Sequence, residues 1–244
     1  MKARNILFIA FAVMACVLSA TAQKVIVAGK KQVYTRPKPS IDFKKTFSIR
    51  RPIVTASTPA LSKAITALLD PAKVLDIDIK EEMGEYQWLS EADYEVVYND
   101  RGMLTVKLWM EGSAAYPDGV TKYSVIDTAK GVRVSPADVF TDLEGLAKLL
   151  KKKQDAAVAE QIKVIKADPD LGGDEDPKQL FENTNFEVKD LEWFAADMAG
   201  VAFFYDYGFP HVIQALEPDS ELRLSWSEIK PFIRKEGLLA RFVP

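Results

Sequence analysis

The chain has 244 residues, of which 48% are hydrophobic and 27% charged, and its formal net charge is −3. This composition is typical of a globular protein and excludes an intrinsically disordered chain. A mildly acidic chain lacks the basic face that a nucleic-acid-binding protein needs, so we expect no nucleic-acid partner.

The first 22 residues have the pattern of a secretory signal peptide. Lys2 and Arg4 form a short basic region, residues 6–15 are almost wholly apolar, and the segment ends in small residues at Ala22. The apolar run is shorter than the roughly 20 residues that span a membrane. The pattern predicts cleavage before Gln23, a periplasmic or secreted protein, and no transmembrane segment in the mature chain.

Cys16 is the only cysteine of the chain. Residues 13–16 (VMAC) depart from a lipoprotein signal, because Val13 replaces the usual leucine and Met14 is bulky, so lipid anchoring through Cys16 stays the less favoured alternative. Cleavage after Ala22 leaves a mature protein without cysteine, and such a protein has neither a disulfide bond nor a thiol nucleophile.

Residues 23–40 combine five basic residues with Pro37 and Pro39 and have sparse apolar content. This composition favours an extended, partly mobile N-terminal arm outside the core. Residues 41–244 are then predicted to form one domain.

The first half of this domain alternates between strand and helix patterns. Residues 41–54 read as a strand, and Thr58 followed by Pro59 is typical of a helix start. We expect this helix to stop at Pro71 and to be followed by a short strand over 74–79.

The middle of the domain reads as an antiparallel meander. Strands are predicted over 88–98 and 103–110, joined by the hairpin turn 99–102, and then over 120–126 and 132–134. Connections this short require neighbouring strands to run antiparallel.

The second half mixes helices with further short strands. A short helix is predicted after Ser135, and Thr141 opens a long helix to about Lys166 with a capping box. Four strands are predicted next, over 185–188, 191–196, 201–207 and 222–224, and Ser225 caps a terminal helix. The fold class is therefore α+β, a single domain with helices packed against an antiparallel meander.

The residue types that carry catalysis are sparse. His211 is the only histidine, so neither a Ser-His-Asp triad nor a His-based zinc site is expected. We predict no catalytic residue, no cofactor and no metal site. Asp93, Glu95 and Glu111 lie near strand ends, which leaves a hydrolase that uses carboxylates alone as an alternative.

An acidic loop over 168–176 departs from a calcium-binding loop. Gly172 stands where a ligand is needed, and Gln179 replaces the bidentate glutamate. A solvated loop is the simpler interpretation, and whether it binds a cation stays open.

An aromatic cluster is the most suggestive feature of the sequence. Seven aromatic residues fall within 17 positions: Trp193, Phe194, Phe203, Phe204, Tyr205, Tyr207 and Phe209. Strand alternation sends Phe203 and Tyr205 to one face and Phe204 to the other. Most of these rings are expected in the core, whereas a binding patch is predicted at Tyr205, Tyr207, Phe209 and His211, because tyrosine combines an apolar ring with a hydroxyl.

Four stretches also carry a family likeness: 47–52 (FSIRRP) with 61–65 (LSKAI), 123–127 (YSVID) with Gly131 and 138–140 (DVF), 200–207 (GVAFFYDY) and 222–229 (LRLSWSEI). In this order and spacing, residues 42–244 resemble the extracytoplasmic domain of RsiV-type anti-sigma factors. This domain of unknown function is also found beside peptidoglycan polysaccharide deacetylases.

The resemblance implies an α+β fold and a role at the cell envelope, where RsiV-type domains bind lysozyme. RsiV-type proteins carry a sigma-binding segment and a transmembrane helix before this domain, and the arm here replaces both, so no anti-sigma role is expected. Residues 206–211 also depart from the small, Ala-rich loop of the family.

We therefore predict an exported, non-catalytic binding or sensing module. The expected partner is a lysozyme-like protein or a peptidoglycan fragment, and the oligomeric state is left open. The alternatives are the carboxylate-based hydrolase and a structural envelope factor.

Overall fold

A computed structural model describes residues 24–114, 116–168, 171 and 176–243 of the chain. The predicted signal peptide and most of the acidic loop over 168–176 lie outside these residues. No helix of the described part is both long and apolar enough to cross a membrane.

Six strands form the larger sheet. They lie in chain order: β1 (Ile26–Thr35), β2 (Thr46–Thr55), β3 (Leu89–Asp100), β4 (Met103–Ser113), β5 (Pro117–Asp127) and β6 (Val132–Arg133). β2 and β3 run parallel, and every other neighbouring pair is antiparallel. The predicted α+β class and the meander from β3 to β6 are confirmed.

A smaller antiparallel sheet contains β7 (Phe194–Ala196), β8 (Gly200–Phe204) and β9 (Glu221–Ser225). Thr105 of β4 joins the two sheets, since its Oγ1 donates to the carbonyl of Ala196 over 2.7 Å. The smaller sheet therefore covers one part of the larger sheet and leaves the Lys107 end of that face open.

Within the described residues six helices have defined bounds: α1 (Pro59–Leu68), α2 (Pro71–Val74), α3 (Ile79–Met83), α4 (Pro136–Val139), α5 (Leu143–Ala167) and α6 (Trp226–Ile229). Short 3₁₀ turns lie at Asp42–Lys44, Pro177–Phe181, Val188–Glu192, His211–Leu216, Lys230–Phe232 and Leu238–Phe242. Thr58 caps α1 as predicted, whereas α5 is capped by Asp142 and not by Thr141.

The two faces of β4 belong to different cores. Leu104, Val106 and Leu108 face α1 and β2 in one buried cluster. Met103, one strand position away, joins a second cluster with the smaller sheet and α5. Strand alternation explains this division, because successive side chains of a strand point to opposite faces.

Helix α1 protects the edge of β2. The N–H groups of Val54 and Ala56 donate to Thr66 Oγ1 and Ser62 Oγ, both over 2.9 Å. Pro52 in the same strand has no N–H to offer. Side chains of a helix thus satisfy the edge that a neighbouring strand would otherwise occupy.

The N-terminal segment differs from the predicted mobile arm. It is extended, but β1 pairs with β2 over ten consecutive positions, and both of its flanking residues, Val25 and Arg36, are buried. The pattern misled because eight of the ten β1 residues are exposed, so the composition of this edge strand matches that of a free arm.

Two predicted strands are wrong. Residues 74–79 lie in the α2–α3 region, where Asp70 and Asp78 accept N–H bonds from the first turns of the two helices. Pro71 accordingly begins α2, a position that needs no N–H donor. Residues 185–188 form a loop that leads into a 3₁₀ turn.

A buried ionic network closes one end of the larger sheet. Arg36, only 2% exposed, donates to Glu82 Oε2 over 3.0 Å and to the carbonyls of Glu82, Lys44 and Leu89 over 2.7–2.8 Å. Lys44 Nζ donates to the carbonyls of Gln87 and Ser113. Burial, and next the charge of Arg36, lower the pKa of Lys44. We call these four residues, Arg36, Lys44, Glu82 and Gln87, the Arg36 network.

Candidate functional site

An aromatic ridge stands where β8 leaves the smaller sheet. Phe204 N–H donates to the Trp193 carbonyl over 2.9 Å, and Tyr205 N–H donates to the Ser220 carbonyl over 3.0 Å. The ring of Phe204 stacks on Tyr123 of β5, with ring centroids 4.1 Å apart. Trp193 remains 47% exposed, so its indole face is available to a ligand.

Two clefts flank this ridge. They measure about 450 and 490 Å³, and both are lined by Trp193, Phe204, Tyr205 and Asp206. We call these four residues the Trp193 ridge. Volumes of this size fall within the range of binding clefts in proteins.

Carboxylates outnumber lysines along the two clefts. The lining contains Glu187, Asp190, Asp206, Glu217, Asp219 and Glu221, with Lys107 and Lys189 as the lysines. Glu187 pairs with Lys189 over 2.8 Å, and Glu221 pairs with Arg223 over 2.6 Å. The remaining carboxylates are therefore left to give the clefts a negative field.

All four remaining carboxylates accept backbone N–H groups. Asp190 accepts from Glu187 over 2.7 Å, Asp206 from Gly208 over 2.8 Å, Glu217 from Phe209 over 3.1 Å, and Asp219 from Glu221 over 2.9 Å. Such bonds orient a carboxylate without cancelling its charge. Burial, and next the charges of Glu221 and Glu95, raise the pKa of the neighbouring Tyr123.

Tyr205 is the predicted binding residue that the structure brings into the clefts. Its hydroxyl accepts the N–H of Asn185 over 3.1 Å, and its ring lines both clefts. This bond fixes the ring as one wall of the ridge. The predicted binding role of Tyr205 itself stays a prediction.

Tyr207 lies beneath the surface that was expected to expose it. It is 9% exposed and packs with Ile165, Phe181 and Leu216, and its hydroxyl has no hydrogen-bond partner within the described residues. Burial, and next Tyr205, Asp219 and Glu217, raise its pKa to about 12. A loop that folds back on α5 covers the ring, and this long-range contact is not visible in the strand pattern.

Phe209 and His211 complete the predicted patch but do not line the ridge. Phe209 is partly buried, with its ring 5.4 Å from that of Phe181. His211 is exposed and stacks on Tyr116 at a centroid distance of 5.1 Å. The four predicted residues thus lie on one segment without forming one continuous surface.

Sequence reasoning missed several residues of the site. Tyr123 and Lys107 come from strands far earlier in the chain, and Trp193 was noted only as one member of the aromatic cluster. Trp193 is exposed beside the buried Phe194, but alternation does not reveal this, because Phe194, Ala195 and Ala196 are all buried. Nothing local indicates that β5 would lie beneath Phe204.

The described residues also bear on catalysis and metal binding. Among them, no group of three or more His, Cys, Asp or Glu side chains is placed to hold a metal ion. Asp93 pairs with Arg50 at 3.6 Å, while Glu95 and Glu111 lie opposite Lys107 and Glu91. A general acid needs a carboxyl group with a raised pKa. The described carboxyl groups with a shifted pKa instead have a lowered one: Glu91, Asp138, Glu187 and Glu228.

Comparison with known proteins gives a fold. No family model and no curated protein sequence matches the chain. A DUF3298 family member from Bacteroides fragilis superposes with a TM-score of 0.53 at 16% identity, covering 86% of this chain and 93% of that one. A DUF3298 family protein from Pseudomonas aeruginosa gives a TM-score of 0.54 at 13% identity, with coverages of 86% and 94%. At these identities the likeness shows the fold alone, and the resemblance to RsiV-type domains stays a prediction.

Proposed function

We propose that this protein is an exported recognition module of the cell envelope that binds a cationic protein at the Trp193 ridge. One observation carries the proposal: an exposed indole stands between two clefts whose carboxylates outnumber their lysines. Periplasmic or secreted location rests on the pattern of the first 22 residues. N-terminal sequencing of the protein from a periplasmic or culture fraction tests it, with Gln23 expected as the first residue.

The charge of the clefts favours a basic partner over a cell-wall fragment. Asp190, Asp206, Glu217 and Asp219 have no ion-pair partner within the described residues, so a partner rich in lysine and arginine neutralises them on binding. Peptidoglycan fragments carry carboxylates of their own, and these would be repelled. A basic lysozyme has the chemistry that the ridge requires.

The ridge also offers the residue types that contribute most to protein interfaces. Tryptophan and tyrosine are enriched at binding hot spots, and arginine side chains stack on indole faces. Trp193 is anchored through its carbonyl to Phe204, and Tyr205 is anchored through its hydroxyl to Asn185. A partner therefore meets a Tyr205 ring that is already ordered and an indole on an anchored backbone, which lowers the entropic cost of binding.

The test is calorimetric titration of the purified protein with a basic lysozyme. Trp193→Ala is expected to weaken binding about tenfold or more, equivalent to ~1.4 kcal/mol. Tyr86→Ala is the matched control, because Tyr86 is an exposed aromatic residue that does not line the clefts. Circular dichroism checks that both variants fold.

A second arm tests the electrostatic argument. The double variant Glu217→Gln with Asp219→Asn is expected to weaken binding and to flatten its salt dependence. The control, Glu85→Gln with Glu144→Gln, removes the same charge at two exposed sites away from the clefts. No binding of lysozyme, or equal loss in both double variants, contradicts the proposal. Binding of a muropeptide that depends on Trp193, without lysozyme binding, shows a glycan module instead.

A further inference from the structure

Strand β1 has a free edge along its whole length. It pairs with β2 at ten consecutive positions without a bulge, and within the described residues no strand pairs with its other side. Ile26 and Val33 on this strand are 68% and 61% exposed. Long unpaired edges attract another strand, and proteins normally shorten, cover or distort them.

The pairing with β2 shows which backbone N–H and C=O groups of β1 point to the free edge. Val54 N–H points away from β1, because it donates to Thr66 on α1. Val54 lies opposite Val27, and these two residues share no backbone hydrogen bond. The N–H and C=O of Val27 therefore point outward, that is, away from β2. By alternation, the outward backbone groups belong to Val27, Gly29, Lys31, Val33 and Thr35. Arg36 N–H donates inward to the Lys45 carbonyl over 2.9 Å, which agrees with this alternation.

Other edges of the two sheets are protected or short. The β2 edge is satisfied by α1, and the edge strands β6, β7 and β9 have two, three and five residues, against ten in β1. In β1, by contrast, all five outward residues retain an N–H donor, since none is proline. The strand is also ordered at both ends, because Val25 exchanges two bonds with the Asn99 side chain and Arg36 is buried in its network.

We propose that β1 pairs antiparallel with β1 of a second copy, so that two six-stranded sheets continue across a twofold axis at Lys31. In this register Val27 faces Thr35 of the second copy, and Gly29 faces its Val33. Each outward pair exchanges two backbone hydrogen bonds, as in any antiparallel ladder. The interface is isologous, which is the arrangement of most homodimers.

The charges along the edge are compensated within each copy, so a second copy can occupy it. Lys31 lies on the axis, and its Nζ is already paired with Glu91 over 2.8 Å. Arg50, opposite Lys31 in β2, is paired with Asp93 at 3.6 Å. Lys30 faces Gln32 of the second copy rather than another lysine. The two edges therefore meet without an uncompensated pair of like charges.

The test is the mass of the purified full-length protein, in its processed form, by sedimentation equilibrium over a range of concentrations. Val33→Pro removes one outward N–H and no bond to β2, so the fold tolerates it as edge strands do. We expect the protein to dimerise and Val33→Pro to be monomeric with an unchanged circular dichroism spectrum. Val33→Thr is the control, because it keeps the N–H and the branched side chain, and it should still dimerise.

Hydrogen exchange gives an independent readout. The amides of Val27, Lys31 and Val33 should be protected at high protein concentration and exchange quickly on dilution, while the amides that bond to β2 stay protected throughout. A monomer at all concentrations overturns the proposal. A dimer that survives Val33→Pro, or one whose outward β1 amides exchange freely, overturns it as well.

Discussion

The Arg36 network and the Trp193 ridge place charge in opposite environments. Arg36 and Glu82 are 2% and 4% exposed, and Arg36 donates to five acceptors that surround it. Asp206, Glu217 and Asp219 lie along open clefts and are held only by backbone N–H groups. Buried charge must be compensated within the fold, whereas surface charge stays free to meet a partner. The comparison separates the residues that build this protein from those that recognise something.

The largest effect should come from breaking the Arg36 network. Arg36→Leu leaves the Glu82 carboxylate buried without its partner, which we expect to lower the free energy of unfolding by about 3–5 kcal/mol. Urea unfolding followed by circular dichroism measures it. Lys163→Leu is the control, because its pair with Glu160 is exposed and should be worth less than about 0.5 kcal/mol. Equal effects of the two variants would remove the distinction between buried and surface charge.

A matched pair of tyrosines tests the small cluster beneath the ridge. Tyr207→Phe removes a buried hydroxyl without a described partner, so stability should stay the same or rise by up to about 1 kcal/mol. Tyr205→Phe loses the acceptor of the Asn185 N–H and should cost up to about 1 kcal/mol. Thermal unfolding of both variants gives the comparison, and a larger loss for Tyr207→Phe would contradict it.

The same cluster should be visible in alkaline titration. The pKa of Tyr207 is raised to about 12, so its neutral form is favoured in the folded protein. Stability from this group is fully present below pH 10 and is lost as pH rises towards 12. Subtracting the ultraviolet titration of Tyr207→Phe from that of the parent isolates the group, and ionisation near pH 10 would show that the ring is not buried.

Acid should weaken the N-terminal cap of α6. The N–H and hydroxyl of Ser225 donate to Glu228, and Lys153 pairs with it over 2.9 Å. The Ser225 side chain first, then its backbone N–H and Lys153, lower the pKa of Glu228 to about 2. The lowered pKa stabilises the fold above about pH 4.5 and ceases to do so as pH falls towards 2. Between about pH 4.5 and pH 2, the Glu228→Gln variant should lose less unfolding free energy than the parent protein. The difference should be less than about 1 kcal/mol, because Glu228 is exposed.

The smallest effect should come from the clefts. Glu217→Gln with Asp219→Asn keeps oxygen acceptors for Phe209 and Glu221, so stability should change by less than about 0.5 kcal/mol. Chemical unfolding measures it. A loss as large as that of Arg36→Leu would make these carboxylates part of the scaffold and remove the basis for a recognition role.

Local patterns predicted the meander and the caps of α1 and α6, whereas the Thr141 cap of α5 was wrong. Turn residues at 99–102 and alternation in β4 are short-range signals, as are the Thr58 and Ser225 caps, and the structure has all of them. The interpretation of residues 23–40 failed because eight of the ten β1 residues are exposed, so no buried face marks the strand in the sequence. Its pairing with β2 and the contacts at Val25 and Arg36 fix its place instead. The segment over 74–79 failed because Asp70 and Asp78 cap helices by bonds that alternation does not reveal.

The candidate site was only partly visible beforehand. The aromatic residues near position 205 could be noted from the sequence, but whether each ring is buried depends on what folds over it. Tyr207 is covered by α5 and the 3₁₀ turn at His211–Leu216, whereas Trp193 is left exposed. Alternation assigns a face to a side chain and does not say which element covers that face.

The sequence by itself determined the local elements, the α+β class and the scarcity of histidine and cysteine, because propensity, capping and composition act over a few residues. The tertiary structure alone decided that Arg36 is buried against Glu82, 46 residues away, and that Tyr123 lies beneath Phe204. It also decided which edge of the larger sheet is free. These features depend on how distant strands align, and alignment is set by the packing of the whole core rather than by any neighbouring residues.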